Sequence, residues 1–184
     1  MSTIFTWYGH ATIGLETAGM HLLIDPYFSG NPTATAKPTD VPADYILVTH
    51  GHGDHLGDTV AIAKRTGATV ISNAEICGWL GAKGIKTHAQ HIGVGFHYPF
   101  GYLKLTLALH GSGLPDGSVG GNPVGFLLTT NSGKKIYFAG DTGLFGDMRL
   151  IGEEGIELAA LPIGDNYTMG PDDALRAVKL LQPT

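Results

Sequence analysis

Four potential metal ligands fall within six residues of this chain, in the stretch His50-Gly51-His52-Gly53-Asp54-His55. The stretch follows the apolar run 45–49, which has the composition of a buried β-strand. Imidazole and carboxylate groups suit zinc, manganese and iron, and burying so many of them without partners would be costly. The chain is therefore expected to fold so that a strand ends at a metal site.

The spacing within this stretch indicates two ions rather than one. Alternate residues of an extended segment point the same way, so His50 and His52 can bind one ion. Asp54 and His55 lie past the turn, where they can bind a second ion. The two intervening glycines lack Cβ atoms, so the backbone can turn sharply and leave room for two cations. We predict a dinuclear site.

The composition limits the class of protein that carries this site. A chain of 184 residues is long enough for one domain with its own core, and we expect a single domain spanning residues 1–184. A hydrophobic fraction of 43% with 15% charged residues is typical of an ordered globular protein. No apolar run approaches the roughly 20 residues that span a bilayer, and the first residues lack the regions of a signal peptide. We expect a cytoplasmic protein without membrane association.

The charge distribution argues against nucleic acid as a partner. The net charge is −5, and the eleven lysines and arginines are scattered along the chain, whereas a polyanion-binding surface needs clustered cations. The single cysteine, Cys77, excludes an internal disulfide and falls in a helical pattern, where a buried thiol is expected. The expected partner is a small-molecule substrate, and the sequence leaves homo-oligomer formation open.

The order of predicted elements indicates an α/β sandwich. Strands are predicted at 3–8, 11–16, 21–25, 45–49, 68–71 and 85–87, the first three as an antiparallel meander. Helices are predicted from 58 to 66 and from 74 to 80. A second β-rich half follows, with strands at 92–98, 102–109, 124–130, 134–139 and 157–161 and helices near 146–151 and from Pro171. Because helices bracket two β-rich halves, we expect four layers in the order α/β/β/α.

Polar residues at other strand ends are further candidates for the site. His110 ends the apolar run 102–109, and Asp141 follows the run 136–140, so each emerges where a strand meets a loop. Ligands on rigid strand ends are held in position. Asp25 also follows a strand. It is either an acceptor for the second N–H of a ligand histidine or an ordinary turn carboxylate.

Four more residues are candidates near the site. His10 either faces the site or is a hydrogen-bonded core histidine. Asp165, Asn166 and Tyr167 follow another strand end, where they are expected to touch substrate or metal-bound water. For Asp165, a turn position near the last helix is the competing interpretation. The remaining histidines are expected to be structural or exposed, and they are His21, His88, His91 and His97.

Several of these segments resemble those of one protein family. The 50–55 motif, followed by an isolated histidine and then an aspartate at strand ends, is similar to that of the metallo-β-lactamase superfamily. The segments 7–12, 138–143 and 162–169, which read WYGHAT, FAGDTG and PIGDNYTM, resemble a branch of metal-dependent hydrolases similar to ascorbate-6-phosphate lactonase. The resemblance runs from the first strand to residue 184. It implies that His50, His52 and His110 hold one metal, that Asp54 and His55 hold the other, and that Asp141 bridges both.

The chain departs from the superfamily pattern at its end. Members supply one more histidine to the second metal from a strand after the last helix, and no histidine here follows His110. The amphipathic helix from Pro171 is followed only by residues 182–184, without a returning strand. We therefore expect a sandwich lacking its C-terminal strand and helix, a natural protein that continues past Thr184, and a weakened second metal site in this form.

These expectations lead to a metal-dependent hydrolase. Two divalent ions, zinc or manganese with iron and nickel as alternatives, would lower the pKa of a shared water so that hydroxide attacks an ester, lactone or phosphoester. Asp54 or Asp141 would orient the water or accept its proton. The resemblance to the lactonase favours a small phosphorylated or anionic substrate. The alternatives are a nuclease or phosphodiesterase of the same fold, for which a basic arm is missing, and a metal-binding protein without catalysis.

Overall fold

The computed structural model describes residues 2–184, which form two β-sheets packed face to face between helices. The first sheet contains six strands in chain order, and they are β1 (Ile4–Trp7), β2 (Ile13–Thr17), β3 (Met20–Ile24), β4 (Tyr45–Leu47), β5 (Thr69–Ser72) and β6 (Thr87–Ala89). Strands β1 to β3 are antiparallel, and β3 to β6 are parallel. The predicted meander and the β-α-β unit after it are confirmed.

The second sheet is built from the other half of the chain. Its strands are β7 (Gly95–Tyr98), β8 (Gly101–Leu107), β9 (Val124–Thr130), β10 (Lys135–Phe138) and β11 (Leu158–Ala160), in the spatial order β11-β10-β9-β8-β7. Strands β7 to β10 are antiparallel, and β11 pairs parallel with β10. Two predicted strands are shifted. The 92–98 strand begins only at Gly95, and the 85–87 strand forms at 87–89 because Ile85 still donates its N–H to Leu80 O at the end of the preceding helix.

Five helices complete the fold, and they are α1 (Gly53–Leu56), α2 (Thr59–Thr66), α3 (Ala74–Gly81), α4 (Met148–Gly152) and α5 (Pro171–Leu181). The Asn73 side chain caps α3 by accepting the Ile76 N–H, and Gly67 ends α2 in the left-handed conformation. Pro171 begins α5, with two aspartates in its first turn. None of these helices, within residues 2–184, is long and apolar enough to cross a membrane.

The alternation of side chains along the strands creates three apolar layers. In β3, Leu22 and Ile24 point between the two sheets, where they meet Phe126 and Phe138 of the second sheet. Leu23, between them, points the other way and packs with the residues of α2 and α3. A third cluster lies between the second sheet and helices α4 and α5. The layers therefore run α/β/β/α, as predicted.

Candidate metal centre

The 50–55 motif is delivered by the end of β4 and by helix α1. His50 and His55 are completely buried. His52 is the residue before α1, and its carbonyl accepts the N–H groups of His55 and Leu56. The sequence predicted a turn here, but the structure has a helical turn. The reason is that Leu56 is buried in the core beneath this segment, and the two backbone hydrogen bonds to His52 wind the chain toward it.

Three histidines form the first candidate metal position. The ring of His50 lies 4.7 Å from that of His52 and 4.9 Å from that of His110, measured between centroids, and the His52 and His110 rings are 5.0 Å apart. One ring nitrogen of each lies within 4.8 Å of the other two. The structure thus brings together the three residues that the sequence assigned to one ion.

Backbone and hydroxyl contacts place His110 in this group. Leu109 donates its N–H to the Thr142 hydroxyl over 2.9 Å, which ties the end of β8 to the segment after β10. The Nδ1 of His110 lies 3.0 Å from the carbonyl oxygen of Tyr167. Since a carbonyl can only accept, Nδ1 carries the proton, and the Nε2 lone pair is directed into the site.

The carboxylate of Asp141 lies between the two halves of the site. Its Oδ2 is 3.4 Å from His55 Nε2 and 3.8 Å from His110 Nε2. His50, His55 and Asp141 also form a group whose ligand atoms all lie within 4.8 Å of one another. Asp54 Oδ2 lies 3.8 Å from His55 Nε2 on the other side. The arrangement fits the bridging position expected for Asp141 and the second position expected for Asp54 and His55.

A buried carboxylate, Asp25, orients both buried histidines. Its oxygens accept the Thr49 N–H at 2.8 Å, the Thr49 hydroxyl at 2.6 Å and the Nδ1–H of His55 at 2.8 Å. The Thr49 oxygen in turn lies 2.9 Å from His50 Nδ1, from which it accepts. Nδ1 is therefore the donor in both histidines, and Nε2 is directed toward the site. Of the two interpretations of Asp25, this geometry favours the acceptor for a ligand histidine.

The electrostatics of the site favour a bound cation. Burial and the charge of His55 lower the pKa of His50 to about 2, and burial with the neighbouring His110 lowers the pKa of His52. Burial also opposes the charge on His55, but Asp25 and Asp141 outweigh it and raise the pKa of His55 to about 10. His50 and His52 are consequently neutral, as metal ligands must be, while the position of His55 stabilises positive charge.

The chemistry of the donors fits a divalent metal. Among residues 2–184, His55 Nε2 is a fully buried nitrogen without a hydrogen-bond partner. It points between the carboxylates of Asp54 and Asp141. An unpaired buried polar atom costs free energy, and a cation bound between this nitrogen and the two carboxylates would satisfy it. Nitrogen and oxygen donors suit zinc, manganese and iron.

The remaining candidates lie around the site in different roles. His10 Nε2 is 3.5 Å from Asp54 Oδ2. Tyr167 holds His110 through its carbonyl, while its side chain is exposed. Asp165 accepts the backbone N–H of Asn166 at 2.9 Å, so these two residues form a tight turn. Asp165 and Tyr167 line the cavity beside the site, and Asn166 does not.

Three residues that support the candidate ligands were not predicted from the sequence. Thr49 connects His50 to Asp25, and Thr142 holds the end of β8. Ser112 accepts the Gly51 N–H at 3.0 Å and donates to Gly120 O at 3.0 Å, so it fixes the turn of the motif. Each is a hydroxyl residue within two positions of a candidate ligand. This proximity in the sequence is the feature by which they could have been predicted.

A cavity of about 680 Å³ opens beside the candidate ligands. Its polar lining includes Asp54, Asp141, His10 and Asp165. Most of its wall is apolar, and the large residues there are Phe5, Trp7, Ile13, Phe138, Leu161 and Ile163. No lysine or arginine lines it within residues 2–184. The cavity can accommodate a small molecule with its reacting group toward the carboxylates.

Comparisons with known proteins identify similar chains. The profile of a beta-lactamase superfamily domain matches residues 21–184. A UPF0173 metal-dependent hydrolase of Bacillus pumilus is 52% identical over 183 residues, covering 96% of this chain and 80% of that protein. A second, from Carboxydothermus hydrogenoformans, is 50% identical over 181 residues, covering 97% and 80%. The solved structure of a metallo hydrolase from the hyperthermophilic archaeon Ignicoccus hospitalis superposes with a TM-score of 0.88 at 37% identity, covering 99% of this chain and 80% of that one.

Proposed function

Since this chain belongs to the beta-lactamase superfamily, among the UPF0173 metal-dependent hydrolases, we propose that it hydrolyses a small ester, lactone or phosphoester with the help of two divalent metal ions. The observation that carries the proposal is the unpaired, buried His55 Nε2 between two carboxylates, next to a group of three converging imidazoles. Such a set of imidazole nitrogens and carboxylate oxygens has no role in packing.

The two ions would be held by different parts of the site. His50, His52 and His110 would hold the first, and Asp54 and His55 the second, with Asp141 between them. Zinc or manganese suits these donors, and iron also fits. Bound divalent ions would supply Lewis acidity, which lowers the pKa of water and polarises the scissile carbonyl or phosphoryl group.

The side chains of the site have separate tasks in this reaction. The Asp54 carboxylate is half-exposed and lines the cavity, so it can accept the proton of the attacking water. Asp141 is less exposed, and burial would raise its pKa, but the nearby charge of His55 outweighs burial and holds the pKa below the ordinary value. Its carboxylate therefore stays ionised between the two imidazoles. Asp25 and Thr49 keep the ligand rings in place during turnover.

The cavity wall supports a narrower choice of substrate. An anionic or phosphorylated molecule would gain from a lysine or arginine near the site, and the wall formed by residues 2–184 contains neither. Its aromatic and aliphatic side chains instead favour an uncharged group. We therefore place esters and lactones with an apolar part ahead of phosphorylated compounds.

The test is to measure metal content and turnover in the same preparations. Protein loaded with zinc or manganese is assayed against aryl esters, lactones, a phosphodiester and single-stranded RNA. We expect about two ions per chain and hydrolysis of esters or lactones. His52→Ala should abolish turnover and lower the bound metal, whereas His91→Ala, in an exposed loop, should change neither.

Three results would contradict the proposal. Protein that binds no divalent metal would remove its basis, and unchanged turnover in His52→Ala would remove the role of the motif. Two bound ions without hydrolysis of any compound would favour the metal-binding alternative, and cleavage of RNA or the phosphodiester alone would favour the nuclease.

A further inference from the structure

We propose that His10 is a protein ligand of the second metal position, together with Asp54 and His55. This inference rests on the proposed two-metal site and adds a residue that lies far from the motif in the sequence. The three side chains form a group whose ligand atoms all lie within 4.8 Å of one another. His10 belongs to the turn between β1 and β2, which approaches the motif from the edge of the first sheet.

The distances agree with a shared ion. His10 Nε2 lies 3.5 Å from Asp54 Oδ2, and His55 Nε2 lies 3.8 Å from the same oxygen. Two ligands that each lie about 2.1 Å from a tetrahedral ion are about 3.4 Å apart, so only small movements would close the group around a metal. The rings of His10 and His55 meet edge-on, with their centroids 5.1 Å apart.

A second observation also points to a ligand at this place. His55 Nε2 is buried and, within residues 2–184, unpaired, and it is directed toward Asp54. Asp25 accepts the Nδ1–H of His55, so Nε2 is the ring nitrogen that faces the site and can bind a metal. In the metal-free protein nothing on His10 or Asp54 satisfies this nitrogen. A cation shared by the three residues would.

The backbone of His10 is held in an unfavourable conformation. Its φ is +52°, in the left-handed region that costs a non-glycine residue on the order of 1 kcal/mol. The Trp7 indole donates to His10 O at 2.7 Å, and Gly9 lies so close to Thr33 that a Cβ there would be 2.5 Å from the Thr33 carbonyl. These contacts fix the backbone from which the imidazole projects, as expected for a residue that must present a ligand at one place.

The turn that contains His10 is also hydrogen-bonded to Asp25, the residue that orients His55. The Thr12 hydroxyl donates to Asp25 O at 2.7 Å and accepts the Tyr27 N–H at 2.9 Å. Thr12 closes the His10 turn by donating its N–H to Gly9 O. Asp25 in turn orients His55. One hydrogen-bonded unit therefore places two of the three ligands relative to each other.

A simple surface ion pair between His10 and Asp54 is the competing explanation. Such a pair contributes little free energy and leaves its side chains free to move. It would account for the 3.5 Å distance, but for neither the constrained backbone nor the unpaired nitrogen of His55. Metal binding accounts for all three.

The experiment titrates the metal-free protein with Co²⁺ and follows its visible absorption and the heat of binding. The variant is His10→Asn, because asparagine tolerates the left-handed backbone but is a poor metal ligand. The second ion should bind at least roughly tenfold more weakly, with a changed absorption spectrum, while the first binds as in the wild type. His91→Asn is the control and should match the wild type at both ions. His10→Gly, which relieves the backbone strain, should show the same loss and so separate it from misfolding.

The results separate this inference from the proposed function. If both His10 variants bind the second ion with unchanged affinity and an unchanged absorption spectrum, the inference is overturned. If their turnover falls at the same time, His10 is a substrate-binding residue. Wild-type protein that takes up a single ion would overturn it while leaving a metal-dependent hydrolase in place. Loss of the second ion in the variants would support it even if no tested substrate is hydrolysed.

Discussion

At the scale of single residues, the Asp25 carboxylate is the group to which the two buried ligand histidines are connected, His55 directly and His50 through Thr49. It is buried, and it receives hydrogen bonds from Thr49 and from His55. Its own φ is +45°, again in the left-handed region. Asp25 therefore stores backbone strain while it orients the ligands, and such strain persists only where the surrounding structure holds it in place.

The protonation of the histidines gives the metal-free protein a stability maximum near pH 6.5. The pKa of His55 is raised to about 10, so its stabilising charge is fully present below about pH 6.5 and is lost as the pH rises toward 10. The pKa of His50 is lowered to about 2, so below about pH 6.5 this histidine binds a proton in the unfolded chain but not in the folded chain. Acid therefore favours the unfolded state. Stability should therefore fall in both directions.

Urea unfolding of chelator-treated protein between pH 5 and pH 9 checks this prediction. The variant Asp25→Asn removes the main charge that favours protonated His55, so its decline above pH 6.5 should be much smaller than in the wild type. The decline on the acid side should remain, since it belongs to His50 and His52. Equal alkaline slopes in the two proteins would contradict the assigned role of Asp25.

The sequence revealed the chemistry of the site residues but not their backbone. Histidines and aspartates at the ends of apolar runs could be identified because strand ends are where polar groups leave the core. The left-handed conformations of His10, Asp25, Asp165 and Asn166 could not, since nothing in the local pattern requires them. They depend on contacts from distant segments, such as that of Thr33 with Gly9.

At the scale of elements, strands were easier to predict than the shortest helix. Alternating and apolar runs placed every strand, with ends shifted by a few residues. Helix α1 escaped because its four residues cannot display a helical period, and because its first glycine suggested a turn. Its formation depends on the burial of Leu56 and on the carbonyl of His52, both tertiary features.

Asn73 links an element of the core to the site. Its Oδ1 caps α3, and its Nδ2 donates to Gly120 O at 2.7 Å and to Asn122 O at 2.9 Å. Gly120 is also bonded to Ser112, which holds the turn of the motif through Gly51. The loop 111–123 is therefore fastened to the start of α3. The Trp79 indole N–H, which donates to Asp116 Oδ2 at 2.6 Å, holds the same loop near the end of that helix.

Replacing this residue should affect stability and the loop in separable ways. Asn73→Ala should lower the free energy of unfolding by about 1–2 kcal/mol, because it removes the cap and two donors. Asn73→Ser keeps a cap acceptor and should lose about 1 kcal/mol less, yet both variants should show faster amide exchange in residues 112–122. Denaturant unfolding and hydrogen exchange provide the measurements. Unchanged exchange in both would show that the loop is held by other contacts.

At the scale of the whole molecule, the candidate ligands come from both sheets. His50, His52, Asp54 and His55 follow a strand of the first sheet, while His110 and Asp141 follow strands of the second. A metal ion bound between them would join the two sheets at one edge. Hydrophobic patterns predicted the two halves separately. The alignment of the ligands at their shared edge could not be predicted from these patterns, because it depends on how the two sheets pack.

Metal binding should therefore stabilise the entire fold. A ligand at a hundredfold excess over its Kd contributes about 2.7 kcal/mol, so zinc should raise the melting temperature of metal-free protein by several degrees. His52→Ala and His110→Ala, one from each sheet, should both reduce this rise, and His91→Ala should retain it. Calorimetric scans with and without zinc make the comparison. A full rise in His110→Ala would mean that the second sheet does not take part in binding.

The division of the ligands between the sheets has a consequence for the biogenesis of the protein. Residues up to His55 leave the ribosome well before Asp141, so an early ion would meet only part of its coordination sphere. The full set is complete only after the two sheets have docked, which makes metal uptake one of the last events of maturation. In refolding with Co²⁺, the rate at which the visible absorption of the bound ion appears would then report the rate of that docking step.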